Sequence, residues 1–297
     1  AIMSAMINAL STHERPKIDP GDDVTLQLYA ARLISKIRTI AAASYKSSIG
    51  DPIIYPRHDL KYVDNFLHMM FSLPYTPYEA TPEVSHALNS FLVLHADHEQ
   101  NCSTSTVRMV ASGEANLYAS CSAGVVALWG AKHGGANVAV VQMLQRMRRE
   151  GLTPHQFLTE VKDRSNDRRL MGFGHRVYRN FDPRAKILRQ AAERLLNSMK
   201  IQDPLLGMAQ ELAEEALQDD YFVERKLYPN VDFYSGIILR AIGIPLNMYT
   251  VMFAIGRMPG WIANWKELHD NPAQKIYRPR QLYIGNPKSE WVPRHER

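Results

Sequence analysis

The sequence predicts an all-α fold. Three observations carry that expectation. Apolar residues recur three and four positions apart in one segment after another, and no stretch of any length alternates with the period of a strand. The segments also open on helix start signals: Thr81-Pro82-Glu83, Asp182-Pro183 and Asp203-Pro204 each place a capping side chain before a proline at the first helical position.

Taken in order, the chain opens with Ala1-Ile2-Met3-Ser4-Ala5-Met6-Ile7, which reads as the interior of a helix. With no Met at position 1, a further N-terminal portion of the protein is expected, and any targeting signal would lie there. His13 to Asp22 is polar and holds Pro16 and Pro20, so it is a loop. Asp22 or Asp23 caps a helix from about Val24, with Leu26, Ala30, Leu33, Ile37 and Ile40 on one face and Arg32, Lys36 and Arg38 on a solvated one. Pro52 and Pro56 break the chain before a helix expected from about Asp59 to Ser72, burying Leu60, Val63, Phe66, Leu67 and Met70.

From Thr81, the stripe Val84, Ala87, Leu88, Phe91 and His95 predicts a helix running into His95-Ala96-Asp97-His98-Glu99-Gln100-Asn101. Ala115 to Trp129 is rich in Ala, Ser and Gly, so its backbone can lie close to neighbours in a central position; it delivers His133-Gly134-Gly135 at its end. A helix over roughly Val138 to Arg149 precedes a hinge at Gly151 and Thr153-Pro154, where a domain boundary is placed. Met171-Gly172-Phe173-Gly174-His175 is a loop whose backbone N–H groups are free to face an anion. After Asp182-Pro183, the core face is Ile187, Leu188, Ala191 and Leu195. Arg184 falls in the first turn, the unfavourable end of the dipole for a cation, which points to an anionic ligand or an acid partner. Leu205, Met208, Ala209 and Leu212 follow Asp203-Pro204, and Ile237, Ile238, Ala241 and Ile242 precede a stop at Gly243 and Pro245. Leu246 to Arg257 is apolar until its last residue. Pro259-Gly260-Trp261 reads as a break, Trp261 and Trp265 share a face, and the tail Arg278-Pro279-Arg280-Gln281-Leu282-Tyr283 is basic and extended.

Composition bounds the function. The 297 residues are 45% apolar and 22% charged, as in ordinary globular proteins, and long enough for one large or two ordinary domains. The net charge of +5 suits anionic ligands, but the basic residues form no stripe, which argues against a nucleic-acid surface. Cys102 and Cys121 make no disulfide framework, which fits a reducing, cytoplasmic compartment, and no apolar run is long enough to span a membrane.

The chemistry gathers on three stretches. Tyr228-Pro229-Asn230-Val231-Asp232-Phe233-Tyr234-Ser235-Gly236 sets one carboxylate among aromatic and apolar neighbours, where poor solvation raises its pKa towards the range of a carbon base. Trp129 to Asn137 and Met171 to Tyr178 each present a histidine, His133 and His175, among glycines that allow a ligand close approach. Taken singly, each residue favours the plainer account of a buried hydrogen-bonded Asp and two loop histidines. His95 and His98 match a metal pair only weakly, because no third ligand with recognisable spacing follows; a polar cluster facing a ligand site is the better account.

His95 to Asn101, Lys132-His133-Gly134-Gly135-Ala136-Asn137, Gly172-Phe173-Gly174-His175-Arg176-Val177-Tyr178, Asp182-Pro183-Arg184, Tyr228 to Gly236 and Arg278-Pro279-Arg280 together resemble citrate synthase in its bacterial form, in family order and at family spacing across essentially the whole chain. One departure is Ala131, where the family usually has proline. The resemblance implies an all-α fold of two domains: residues 1–137 and 251–297 in a large domain and 138–250 in a small one. It implies condensation of acetyl-CoA with oxaloacetate to citrate and CoA, with no permanently bound cofactor and no metal. By resemblance, Asp232 is the base, His133 bonds the thioester oxygen and His175 polarises the ketone. His98, Arg184, Arg257 and Phe253 line the substrate site, and Arg278 reaches the neighbouring subunit of a homodimer or hexamer. Arg179 and the loop with Gly172, Gly174 and Val177 hold CoA. Of the alternatives, 2-methylcitrate synthase differs by one methylene of substrate, about 1–3 kcal/mol of discrimination. A metallohydrolase built on His95 and His98 and a non-catalytic helical scaffold belong to other classes; Asp232, His133 and His175 together argue against the scaffold.

Overall fold

The computed structural model describes residues 1–14, 21–163, 165, 167–175, 178, 180–199, 203–285, 288 and 290–296. Among them the fold is helical, with two isolated bridges and no strand. The α-helices are α1 (Ile2–Glu14), α2 (Asp23–Ile49), α3 (Tyr62–Phe71), α4 (Pro82–Leu94), α5 (Cys102–Ala111), α6 (Leu117–Leu128), α7 (Ala131–Gly134), α8 (Ala136–Glu150), α9 (Pro154–Lys162), α10 (Pro183–Met199), α11 (Pro204–Gln218), α12 (Asp220–Glu224), α13 (Val231–Ile242) and α14 (Tyr249–Asp270).

The start signals act as their chemistry dictates. Asp22 accepts from the backbone of Val24 and Thr25, Thr81 from Val84 and Asp203 from Leu205, while Thr153 and Gln156 form a reciprocal capping box on α9. Gly50, Gly151 and Gly243 end α2, α8 and α13 in the left-handed conformation.

One group of helices packs α6 against α1 and α5, with α14 lying across α2, α4, α5 and α6. Small residues permit this approach: a Cβ on Gly124 of α6 would lie 2.7 Å from Val107 Cγ2 and 3.0 Å from the Trp261 ring. The other group joins α13 to α8, α10 and α11, and α11 to α9; α4 touches both groups, through α14 on one side and α10 and α13 on the other.

Several elements differ from expectation. The helix expected from Asp59 starts at Tyr62, since Asp59 is held by Arg57 in the preceding turn, so Leu60 lies outside it. The helix from Thr81 stops at Leu94, and His95 to Asn101 is a turn. Ile187 is exposed, off the stripe of Leu188, Ala191 and Leu195. The expected break at Pro259-Gly260 is absent: α14 runs straight through. A mid-helix proline removes one hydrogen bond and costs about 3 kcal/mol. Burial of Phe253, Ile255, Met258, Trp261, Ile262 and Trp265 on the same helix offsets it, at about 1.5–3 kcal/mol per large apolar side chain. Gly260 supplies close contact instead of a break, since a Cβ there would sit 2.0 Å from the Ala96 carbonyl oxygen.

Candidate active site

Asp232 lies in the first turn of α13, where Asn230 caps the helix by accepting from the backbone N–H of Asp232 and Phe233. The positive end of the helix favours its ionised form. Burial acts the other way and wins: with Arg184 and Arg257 pulling it down only in part, its pKa is pushed up to about 6. Its carboxylate accepts no hydrogen bond from the described residues, so both oxygens are available to a substrate proton.

The loop bearing His175 is stitched to this helix start. Gly174 N–H donates to Tyr228 O at 2.8 Å, Asn230 N–H to Gly172 O at 2.8 Å, and Asn230 Nδ2 to Gly174 O at 2.8 Å. The Gly174 amide is therefore engaged by backbone, contrary to the expectation of amides free to face an anion. Gly172 and Gly174 hold φ of +81° and +72°, a region that favours glycine. A Cβ on Gly172 would sit 2.5 Å from Val140 Cγ2 and 2.9 Å from Phe233 Cβ. Gly172→Ala is expected to destabilise the protein by about 2–4 kcal/mol through strain and overpacking. A lowered thermal midpoint, with loss of any activity that needs Asp232 and His175 in register, is the measurement.

Asp182 ties the second side of the site. Its carboxylate accepts from Arg184 Nε and NH2, both at 3.0 Å, and from the Val231 N–H at 3.1 Å. Arg184 thus has its acid partner, which answers the question its position in the first turn of α10 raised. Its NH2 also comes within 3.5 Å of His175 Nε2. The Tyr178 N–H donates to His175 Nδ1 at 3.4 Å, which leaves Nε2 to carry the imidazole proton.

Opposite stand groups from the turn after α4 and from α14. Arg257 is 1% exposed. Its Nε donates to His95 O at 2.7 Å, while NH1 is buried with no partner among the described residues. Burial lowers its pKa to about 10, still cationic near neutrality. An unpaired buried guanidinium is costly unless an anion meets it. Its Cζ lies 5.0 Å from the centre of the Phe253 ring, and the Phe253 ring is 6.4 Å from that of His133.

His133 follows α6 on the short α7. Its Nε2 accepts from the Ser103 N–H at 3.1 Å, with Ser103 Oγ at 2.8 Å. The proton is therefore on Nδ1, and the ring is neutral near pH 7 because burial and Arg257 depress its pKa. His98 Nε2 lies 3.2 Å from the Tyr178 hydroxyl, and its ring meets that of His175 edge-on at 5.2 Å. Burial, with nearby positive charge, also lowers the pKa of His98 and of His175.

The structure thus brings together Asp232, His98, His133, His175, Arg184, Arg257 and Phe253. Arg278 is apart, exposed on the tail. Val177 and Arg179 lie outside the described residues. The metal pair finds no geometry: His95 Nδ1 is bonded to Phe91 O at 2.7 Å, and its ring is sealed between Phe91 and Phe253. Among the described residues, no group of three potential ligands is suited to a metal ion. Ser103 and Tyr178 have no role assigned from the sequence, and Asp182 only that of a helix start; nearness to Asn101, His175 and Arg184 is the one signal of more.

Residues 1–280 match the family model described as citrate synthase, C-terminal domain. The chain is 53% identical over 291 residues to citrate synthase 1 of Mycobacterium tuberculosis, strains CDC 1551 and H37Rv, covering 98% of this chain and 68% of that protein. Among solved structures, citrate synthase from Pyrobaculum aerophilum superposes with a TM-score of 0.85 at 34% identity, covering 99% of this chain and 73% of that one. A ternary complex of the Thermoplasma acidophilum enzyme with carboxymethyl coenzyme A and oxaloacetate gives 0.84 at 31% identity, covering 99% and 75%.

Proposed function

Because this chain belongs to the citrate synthase family, we propose that Asp232, His133 and His175 carry the condensation of acetyl-CoA with oxaloacetate, with His98, Arg184 and Arg257 holding the keto acid. The activity is that of an acyltransferase that converts the acyl group to an alkyl group on transfer, with acetyl-CoA as substrate. The observation that supports this division of labour best is Arg257. A buried cation with an unpaired donor, within electrostatic reach of Arg184 and of a carboxylate of raised pKa, is a site short of an anion. A dicarboxylate keto acid supplies it.

The steps follow from the protonation states. Asp232, about 90% ionised at pH 7 for a pKa near 6, takes a proton from the acetyl methyl group. The electron pair moves into the thioester carbonyl, whose oxygen accepts a hydrogen bond from the Nδ1–H of His133. One such donor stabilises a developing oxyanion by roughly 3–4 kcal/mol. The enol carbon attacks the ketone carbon of oxaloacetate, and the ketone oxygen takes the Nε2 proton of His175. Water then hydrolyses the thioester and releases CoA. Phe253 lines the acetyl site, and Arg179, Gly172, Gly174 and Val177 serve the CoA moiety.

Residues 138–250 form a small domain that closes on a large one made of 1–137 and 251–297. The two helix groups, joined through α4, support this division. Closure excludes water and assembles the two sides of the site. The protein assembles as a homodimer or a hexamer, with Arg278 reaching the partner's site. Its exposed position on the tail fits that role, as do the exposed Ile2, Met6, Val126 and Trp129 on and beside the packed pair α1 and α6. Among the described residues no helix is long and apolar enough to cross a membrane; the cysteine usage favours the cytoplasm.

Thiol release tests the reading. Oxaloacetate is mixed with acetyl-CoA or with propionyl-CoA and free CoA is followed. Faster release with acetyl-CoA is expected. Faster release with propionyl-CoA would move the substrate to the three-carbon acyl group, and no release with either would contradict the site.

A further inference from the structure

Tyr178 touches three side chains of the site at once. Its hydroxyl lies 3.2 Å from His98 Nε2, its ring centre is 4.8 Å from that of His175, and Arg184 Cζ lies 5.8 Å from the same ring. Its own backbone N–H sets the His175 tautomer. One residue therefore contacts three groups that face the keto acid, and it joins His98, on the turn after α4, to His175, on the loop before α10.

We propose that Tyr178 is a positioning residue for oxaloacetate binding, acting through His98. The imidazole of His98 is partly exposed at a turn, with the Asn101 side chain bonded to its backbone carbonyl rather than to its ring. The ring is held by its edge-on contact with His175 and by the Tyr178 hydroxyl at Nε2. The hydroxyl fixes the rotation of the ring about its Cβ–Cγ bond, so His98 meets the substrate already oriented and binding does not have to order it. The inference rests on His98 being a ligand of the keto acid.

The test compares Tyr178→Phe, His98→Asn and the double variant in the full chain, measuring KM for oxaloacetate and kcat with acetyl-CoA saturating. Loss of one hydrogen bond of ordinary strength corresponds to about fivefold to tenfold. Tyr178→Phe is expected to raise KM for oxaloacetate by that factor, with kcat changing less than KM, and to add nothing in the His98→Asn background. An equal rise in both backgrounds would overturn the proposal in favour of direct contact between Tyr178 and substrate. A fall in KM would overturn it by making the hydroxyl a competitor for His98. If Tyr178→Phe leaves KM unchanged while His98→Asn raises it, the proposal fails and the reading of His98 stands. If His98→Asn also leaves KM unchanged, that reading fails as well. Phenylalanine keeps the ring packing, and an unchanged thermal midpoint separates these outcomes from misfolding.

Discussion

Replacing Asp232 with asparagine should abolish condensation while making the protein more stable at alkaline pH. The loss of a positioned general base lowers kcat by about 10²–10⁴, at the upper end here because the proton comes from carbon. The stability effect follows from the same burial. The pKa of Asp232 is raised in the folded chain from 3.8 to about 6. Protonation therefore favours the folded state: that contribution is fully present below pH 3.8 and lost as pH rises through 6. At pH 8 the ionised carboxylate destabilises the fold by up to about 3 kcal/mol, two pKa units at 1.36 kcal/mol each. Asparagine removes that charge. Its thermal midpoint should exceed that of the parent at pH 8, and the difference should shrink as pH falls below 6. The parent's kcat/KM for acetyl-CoA should lose activity over the same acid range. A variant that is inactive and also less stable at pH 8 would mean that Asp232 is a structural acid.

The second large effect is at His133. On the proposed mechanism His133→Ala removes the Nδ1–H that bonds the thioester oxygen, and a fall in kcat of about 10²–10³ is expected, with oxaloacetate affinity little changed. Ser103→Ala separates position from chemistry. It removes the hydroxyl 2.8 Å from Nε2 but keeps the backbone N–H that sets the tautomer. Its effect should be about tenfold or less. The Trp261 Nε1–H, which donates to that hydroxyl at 3.3 Å, would lose its acceptor, so a modest drop in stability is part of the expectation.

The helical class was legible because caps and periodicity are local, and Asp22, Thr81 and Asp203 perform in the structure as their side-chain chemistry implies. The raised pKa of Asp232 agrees with the expectation drawn from its aromatic and apolar sequence neighbours. What failed was decided by distant packing. Pro259 is a breaker by local rules, yet Trp261 and Trp265 are buried on the helix that continues past it. Gly174 had an amide to offer an anion until Tyr228, 54 residues further on, supplied a carbonyl at 2.8 Å. The pairing of Arg184 with Asp182 was half legible: its unfavourable place at a helix start asked for an acid but did not say which one. The Ser103–His133 and Tyr178–His98 contacts join residues 30 and 80 positions apart, beyond the reach of any spacing rule.

Proton exchange is the most direct test of the central claim. Acetyl-CoA is incubated in D2O with the protein and a dicarboxylate that lacks the ketone, so that the methyl group can be deprotonated but cannot condense. Deuterium should enter the methyl group with the parent and with His175→Ala, whose missing imidazole is proposed to serve the other substrate, and should fail to enter with Asp232→Asn. Exchange by Asp232→Asn at the parent's rate would contradict the assignment of the base and the account of the site built on it.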